Sequence, residues 1–136
     1  MNNHPLNICL VDDDMVYQYV AKKTIESTGL SENIIQFHNG EEALVFFKEN
    51  VSNEAFLPDI IFLDINMPVM NGWEFLEAYS QLATLMTKDI PVVIVSSSLD
   101  DYDLNKSKEF SVVTGFITKP ILRDKFIKIL SSVYAS

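Results

Sequence analysis

The sequence predicts an α/β fold, a mostly parallel five-stranded sheet covered on both faces by helices. Three observations lead there. Five short apolar runs alternate along the chain with five segments of helical period. The length, 136 residues, suits one domain with a proper core and is too short for two ordinary ones. Four of the five apolar runs end in a charged or hydroxyl residue, as expected where the carboxyl ends of parallel strands carry function.

Asn7–Val11 (NICLV) reads as the first buried strand, and a helix is expected from about Asp14 to Ser27. Gly29 stands just past that helix, where a C-terminal cap belongs. Asn33–Phe37 (NIIQF) is the second strand. Asn39 can cap a helix that carries Ala43, Leu44, Phe46 and Phe47. Asn50–Phe56 is a polar loop, and Pro58 precedes a third strand, Asp59–Leu63 (DIIFL). Asn71-Gly72 starts a helix whose apolar stripe is Phe75, Leu76, Tyr79 and Leu82. Pro91 opens the fourth strand, Val92–Val95. Asp100–Phe110 is the poorest helix, with only Tyr102, Leu104 and Phe110 to pack. Gly115–Thr118 (GFIT) is the fifth strand. The last helix places Leu122, Phe126, Ile129, Leu130 and Val133 on one face. Right-handed crossovers leave few ways to wind such a chain, and the flavodoxin-like doubly wound order 2-1-3-4-5 is expected.

Composition narrows the function classes. Hydrophobic residues at 48% and charged residues at 21% exclude a disordered chain. A formal charge of −9 disfavours nucleic acid and anionic membranes, and favours a metal cation or a basic protein partner. The single cysteine, Cys9, lies inside an apolar run, where a small core residue in a reducing compartment is expected. Met1–Pro5 lacks the charged-then-apolar pattern of a signal sequence, and no apolar stretch is long enough to span a bilayer. A cytoplasmic location is therefore expected.

The strand ends hold the candidate site. Strand one ends in Asp12-Asp13-Asp14, strand three in Asp64, strand four in Ser96 and strand five in Lys119. Each has an ordinary structural explanation alone: Asp13 or Asp14 as a helix cap, Ser96 as a turn residue, Lys119 as a surface lysine. Parallel topology brings all four ends to one rim, which makes the joint occurrence informative. Strands one and three flank the switch point, so Asp12, Asp13 and Asp64 should converge. Two carboxylates about 4 Å apart repel by roughly 4 kcal/mol at an effective dielectric of 20. Three therefore require a cation or raised pKa values. Oxygen-only donors point to Mg²⁺ or Mn²⁺ with waters retained. His4 and His38 are isolated in sequence, so zinc is not expected. Lys119 adds a fixed positive charge and Ser96 a hydroxyl donor. A metal, an ammonium and a hydroxyl around a carboxylate meet the needs of phosphoryl transfer. The four glycines are dispersed, so no phosphate-binding loop for a nucleoside triphosphate is present.

From about Asn7 to Val133 the chain resembles the CheY-like receiver domains of two-component response regulators. The resemblance is carried by the acidic pair in LVDDD, Asp64 in PDIIFLDINMPVMNG, Ser96 in PVVIVS and Lys119 in GFITKP, in that order and each after its own strand. It implies that Asp64 is the phosphoacceptor and that Mg²⁺ is bound by Asp13, Asp64 and the backbone carbonyl of Asn66, with Asp12 acting mainly through water. It also implies that Ser96 bonds a phosphoryl oxygen and that Lys119 pairs with Asp64 or its phosphate. Phe116 falls at the switch-aromatic position, and Lys119-Pro120 at a peptide bond that is typically cis in this family. The implied donor is a sensor histidine kinase or a histidine phosphotransfer protein, and the implied output is contact with a downstream protein. Three departures stand out: Ser96 where threonine is common, Phe116 in place of tyrosine, and a longer stretch before Pro58, expected to be a surface insertion. No output module follows Ser136, so a stand-alone receiver, monomeric or weakly dimeric, is expected.

The strongest rival is a haloacid-dehalogenase-type phosphatase, with Asp12 as nucleophile and Asp14 as acid/base. It leaves Asp64 and DINMPVMNG unexplained. An FMN carrier of the same fold would need a hydroxyl-rich loop where three aspartates stand, and an adaptor that is never phosphorylated does not need the acidic cluster.

Overall fold

The computed structural model describes residues 4–98 and 100–134. Met1–Asn3, part of the stretch read as lacking a signal sequence, lie outside the described residues. The apolar runs form strands β1 (Leu6–Val11), β2 (Ser31–Phe37), β3 (Ile60–Asp64), β4 (Val92–Ser96) and β5 (Val113–Thr118). All neighbours pair parallel, in the expected order β2-β1-β3-β4-β5. Helices α1 (Met15–Glu26), α2 (Gly40–Glu49), α3 (Gly72–Ala83), α4 (Asp101–Ser107) and α5 (Arg123–Tyr134) each follow their strand.

Strand pleating divides the core between the two faces of the sheet. Cys9, Val11, Ile61, Leu63, Val92 and Ile94 point to one face and pack against Ala43, Phe47, Phe75, Leu76 and Tyr79 of α2 and α3. Leu6, Ile8, Leu10, Phe62, Val93 and Val95 point to the other and pack against Ala21, Ile25, Phe126 and Leu130 of α1 and α5. Each buried Val, Leu, Ile or Phe side chain contributes about 1.5–3 kcal/mol, which fixes the register of the strands and with it the height of their polar ends. Burial also raises the Cys9 thiol well above its ordinary pKa, in keeping with an inert core residue.

The helix starts follow their caps. Asn39 accepts from the Glu42 amide, and Asn71 with Glu74, and Asp100 with Asp103, form reciprocal capping boxes. Gly29 adopts φ 74° just after α1, a conformation that favours glycine.

Four details differ from expectation. The polar loop before Pro58 contains a 3₁₀ turn, Glu54–Phe56, with Phe56 exposed. Helix α4 stops at Ser107, so Phe110 stacks on Trp73 from the following loop, ring centroids 6.2 Å apart, and Tyr102 lies outside the core. Leu122 is exposed because α5 begins one residue later. Its carbonyl accepts from the Lys125 and Phe126 amides, and its side chain falls off the apolar stripe. Asp59 precedes β3 instead of opening it. Its Oδ2 accepts from the Asn7 amide at 2.8 Å and its Oδ1 meets Lys88 Nζ at 2.7 Å, which closes the amino-terminal rim of the sheet. Lys88 Nζ also donates to the Leu57 carbonyl at 3.1 Å.

Candidate functional site at the carboxyl rim of the sheet

Strands β1, β3, β4 and β5 deliver Asp12, Asp64, Ser96 and Lys119 to one rim. Asp12 follows β1 and its amide donates to the Phe37 carbonyl at 3.0 Å. Its own carbonyl is held by Gln18, a buried polar residue of α1 whose Nε2 donates to Asp12 O at 3.0 Å and Phe37 O at 2.9 Å. Gln36 supports that amide by donating to Gln18 Oε1 at 3.0 Å. This relay fixes where the acidic pair leaves the sheet.

Both central carboxylates are oriented in the same way. Asp12 Oδ1 accepts from the Asp14 amide at 2.9 Å and Asp64 Oδ1 from the Asn66 amide at 3.3 Å, each bond reaching two residues ahead. The two Oδ2 atoms turn to Lys119, whose Nζ lies 2.7 Å from Asp12 and 3.7 Å from Asp64. The Asp12 contact is an ion pair with poor hydrogen-bond alignment, so Asp12 Oδ2 is buried without a well-directed donor. Asp13 is exposed, and one carboxylate oxygen from each of Asp12, Asp13 and Asp64 can be chosen so that all three lie within 4.8 Å of one another. Burial, then the charge of Asp12, pushes the Asp64 carboxyl up to about 6. Burial raises Asp12 as well, against the opposing pull of Lys119.

The backbone around Asp64 is crowded. The Gly72 amide donates to the Ile65 carbonyl at 2.8 Å, and a β-carbon on Gly72 would stand 2.6 Å from the Asp64 carbonyl oxygen. Only glycine lets α3 start this close to the end of β3. In the same loop Val69 adopts φ 69°, a strained conformation for a β-branched residue, and is exposed.

The other sequence candidates fall around this centre. Ser96 is buried, but its Oγ donates to the Ser98 carbonyl at 3.0 Å and accepts from the Ser98 amide at 3.3 Å, closing on the β4–α4 loop. The Lys119 amide donates to the Ser96 carbonyl at 2.8 Å, which sets the lysine beside the end of β4. The Lys119-Pro120 bond is cis. Phe116 is 45% exposed, so it is not a core residue. Asp14 takes the ordinary role foreseen for it and caps α1 by accepting from the Tyr17 amide at 3.0 Å. Among the described residues Asp12, Asp13 and Asp64 form the one acidic or histidine cluster dense enough for a metal. His38 is outside it.

Two neighbours were not foreseen. Gln18 looks in sequence like any solvated helix residue, because a lone polar side chain carries no periodicity signal. Tyr17 is the second. Its ring lies beneath Lys119, with Nζ 4.3 Å from the centroid, and its hydroxyl is buried with no hydrogen-bond partner.

Whether a divalent cation fits can be judged from this geometry. Three carboxylates crowd one rim, one of their buried oxygens has no aligned donor, and the donor set is oxygen only. These features suit a hard divalent ion. No helix among the described residues is long and apolar enough to cross a membrane.

Comparison with known proteins agrees. Residues 8–131 match the response regulator receiver domain family. A crystal structure of a two-component response regulator from Cytophaga hutchinsonii superposes with a TM-score of 0.86 at 28% identity, covering 98% of this chain and all of that one. Response regulator Rcp1 of Synechocystis is 28% identical over 126 residues, 92% of this chain and 84% of its own. The Mn²⁺-bound form of Rcp1 superposes with a TM-score of 0.73, covering 96% of this chain and 93% of that one. The yeast osmosensing histidine protein kinase SLN1 is 30% identical over 135 residues, which is 99% of this chain but only 11% of the kinase. With the family matched over nearly the whole chain and the fold and strand order in agreement, the chain belongs to the receiver domains of two-component response regulators.

Proposed function

We propose that this receiver domain is a phosphorylation switch in which Asp64 accepts a phosphoryl group and the resulting change of shape gates a protein partner. The observation that carries this reading is the shared lysine: Lys119 lies between Asp12 Oδ2 and Asp64 Oδ2, with Asp13 exposed beside them. A carboxylate nucleophile, a fixed ammonium and an oxygen-rich cation site are the parts that phosphoryl transfer needs.

In this reading the donor is a phosphohistidine of a histidine kinase or phosphotransfer protein. An Asp64 carboxylate oxygen attacks phosphorus in line as the phosphorus–nitrogen bond breaks and the imidazole leaves with the electron pair. Asp12, Asp13, Asp64 and the Asn66 carbonyl would hold Mg²⁺, or Mn²⁺ in its place. When bound, the ion neutralises charge on the phosphoryl oxygens. Lys119 does the same from the opposite side, and Ser96 donates to a phosphoryl oxygen after turning from Ser98. The domain has no substrate of its own beyond its phosphodonor and the water that hydrolyses the acyl phosphate.

Output follows from where the site connects. The Ser96 hydroxyl is bonded within the loop that leads into α4, and Phe116 lies exposed on β5 beside it. Helix α4 buries only Ser107, so displacing it should cost little. Phosphorylation would bias a pre-existing equilibrium of this segment and so reshape the surface offered to a partner. The phosphatase alternative has no observation in its favour: Asp14 caps α1, and Asp64 and Gly72 would have no role.

Intact mass after incubation with acetyl phosphate and Mg²⁺ tests the proposal. The wild type should gain one phosphoryl group and Asp64→Asn none. Normal labelling of Asp64→Asn together with loss in Asp12→Asn would instead establish Asp12 as the nucleophile.

A further inference from the structure

Among the described residues, the Lys119 ammonium meets two carboxylates and one aromatic ring. Its side chain is 15% exposed, which leaves the ammonium little water to rely on. A lysine stem is long and flexible, and nothing in its covalent structure aims it at one carboxylate over another. In this protein the third side is closed by the ring of Tyr17, whose face lies 4.3 Å from Nζ, well inside the range of a cation–π contact.

Tyr17 is itself held firmly. Its amide donates to Asp14 Oδ1 at 3.0 Å, which fixes it in the first turn of α1, and its ring packs on the core layer between the sheet and α5. Its hydroxyl contributes no hydrogen bond in the site. Burial and then the charges of Asp12 and Asp64 hold its phenol above its ordinary range, so it stays neutral beside them. The useful part of the residue is therefore the ring face.

We propose that Tyr17 is a positioning residue, whose ring face holds the Lys119 ammonium beside Asp64 independently of Asp12. The distinction matters because a cation bound by the aspartates competes with Lys119 for Asp12. An ammonium steered by Asp12 alone would be displaced from the site by the same ion that completes it. The Tyr17 ring carries no formal charge, so its hold on Lys119 does not depend on how the carboxylates are engaged. This role rests on the assignment of Asp64 as phosphoacceptor.

The test separates the contact from the chemistry. Protons above an aromatic face are shifted upfield, so the Lys119 ε-methylene signal, assigned with Lys119→Arg in ¹³C-lysine-labelled protein without metal, should lie upfield of the other lysines. Tyr17→Leu and Tyr17→Met should return it to the ordinary lysine position and slow labelling by acetyl phosphate several-fold, up to about tenfold. Tyr17→Phe should restore both the shift and most of the rate. Two aliphatic variants are used so that folding, checked by thermal melting, does not decide the result. An unshifted signal in the wild type, or unchanged labelling in folded Tyr17→Leu and Tyr17→Met, overturns the proposal. So does failure of Tyr17→Phe to restore the rate, which would assign the role to the hydroxyl. An upfield signal in wild-type protein that takes no phosphoryl group supports the contact and overturns the assignment of Asp64 instead.

Discussion

Lys119 Nζ is closer to Asp12, at 2.7 Å, than to Asp64, at 3.7 Å, so the lysine leans towards the carboxylate that is not the proposed nucleophile. Both aspartates belong to the cluster that fits a divalent ion. Lysine and metal therefore compete for one negative region, with like charges a few ångströms apart repelling by a few kcal/mol at an effective dielectric of 20 before water and salt screen them.

Lys119→Met should accordingly bind Mg²⁺ more tightly, by about 3- to 10-fold, while losing phosphorylation. Calorimetric titration of metal into both proteins measures the first effect and mass spectrometry the second. Weaker metal binding by the variant would mean that Lys119 orders the carboxylates more than it repels the ion.

Asp64 makes the metal-free protein pH-sensitive in a definite direction. Its carboxyl rises from the ordinary 3.8 to about 6 on folding, so the folded state binds the proton more tightly than the unfolded chain. This contribution is neutral below the unfolded value, falls as pH rises from about 4 to 6, and stays unfavourable above. Asp64→Asn should raise stability by about 1–3 kcal/mol at roughly pH 8 and by little near pH 3. Thermal melts across this range, without metal, check the sign. Mg²⁺ should stabilise the wild type and so narrow the gap.

Gly72→Ala should shift the end of β3. The new methyl would meet the Asp64 carbonyl oxygen at 2.6 Å and the Ile65 Cα at 2.8 Å, both backbone atoms that cannot swing aside. A loss of about 1–3 kcal/mol in chemical denaturation is expected, with weakened metal binding because Asp64 moves. Unchanged stability and metal affinity would show that the loop between β3 and α3 yields more easily than its hydrogen bonds suggest.

Trp73, the single tryptophan, reports on the output side. Its ring stacks on Phe110 at 19° and lies 5.7 Å from Lys106 Nζ of α4. Beryllofluoride with Mg²⁺ should change Trp73 emission in the wild type and leave Asp64→Asn unaffected. Hydrogen exchange over residues 100–118 should change in parallel. A silent tryptophan with unaltered exchange would separate α4 from the switch.

The residues that sequence alone revealed share one property: each stands where an apolar strand ends, so its polarity contrasts with what precedes it. Asp12, Asp64, Ser96 and Lys119 were legible for that reason, and Asp13 by adjacency. The doubly wound order was legible because right-handed crossovers leave little choice. What stayed hidden depended on rotamers and on partners far away in the chain. Gln18 serves the site through backbone carbonyls 6 and 19 residues away, and Tyr17 through the face of its ring. The Ser96 hydroxyl turns to Ser98, a choice of χ1 that no spacing encodes. Leu122 was misplaced because apolar period cannot mark the first residue of a helix.

The two rims of the sheet provide an internal control. At the amino-terminal rim, buried Asp59 meets Lys88 at 2.7 Å, the same separation as Asp12 and Lys119 at the other end. There the second carboxylate oxygen accepts from the Asn7 amide and the lysine also donates to the Leu57 carbonyl, so the pair serves to join β1 to β3. At the carboxyl rim a second and a third carboxylate crowd a similar pair, and one oxygen is left without an aligned donor. One sheet thus carries a lysine paired with one carboxylate at one rim and a lysine shared by two at the other. The difference between the two rims is a matter of how many carboxylates gather around one lysine.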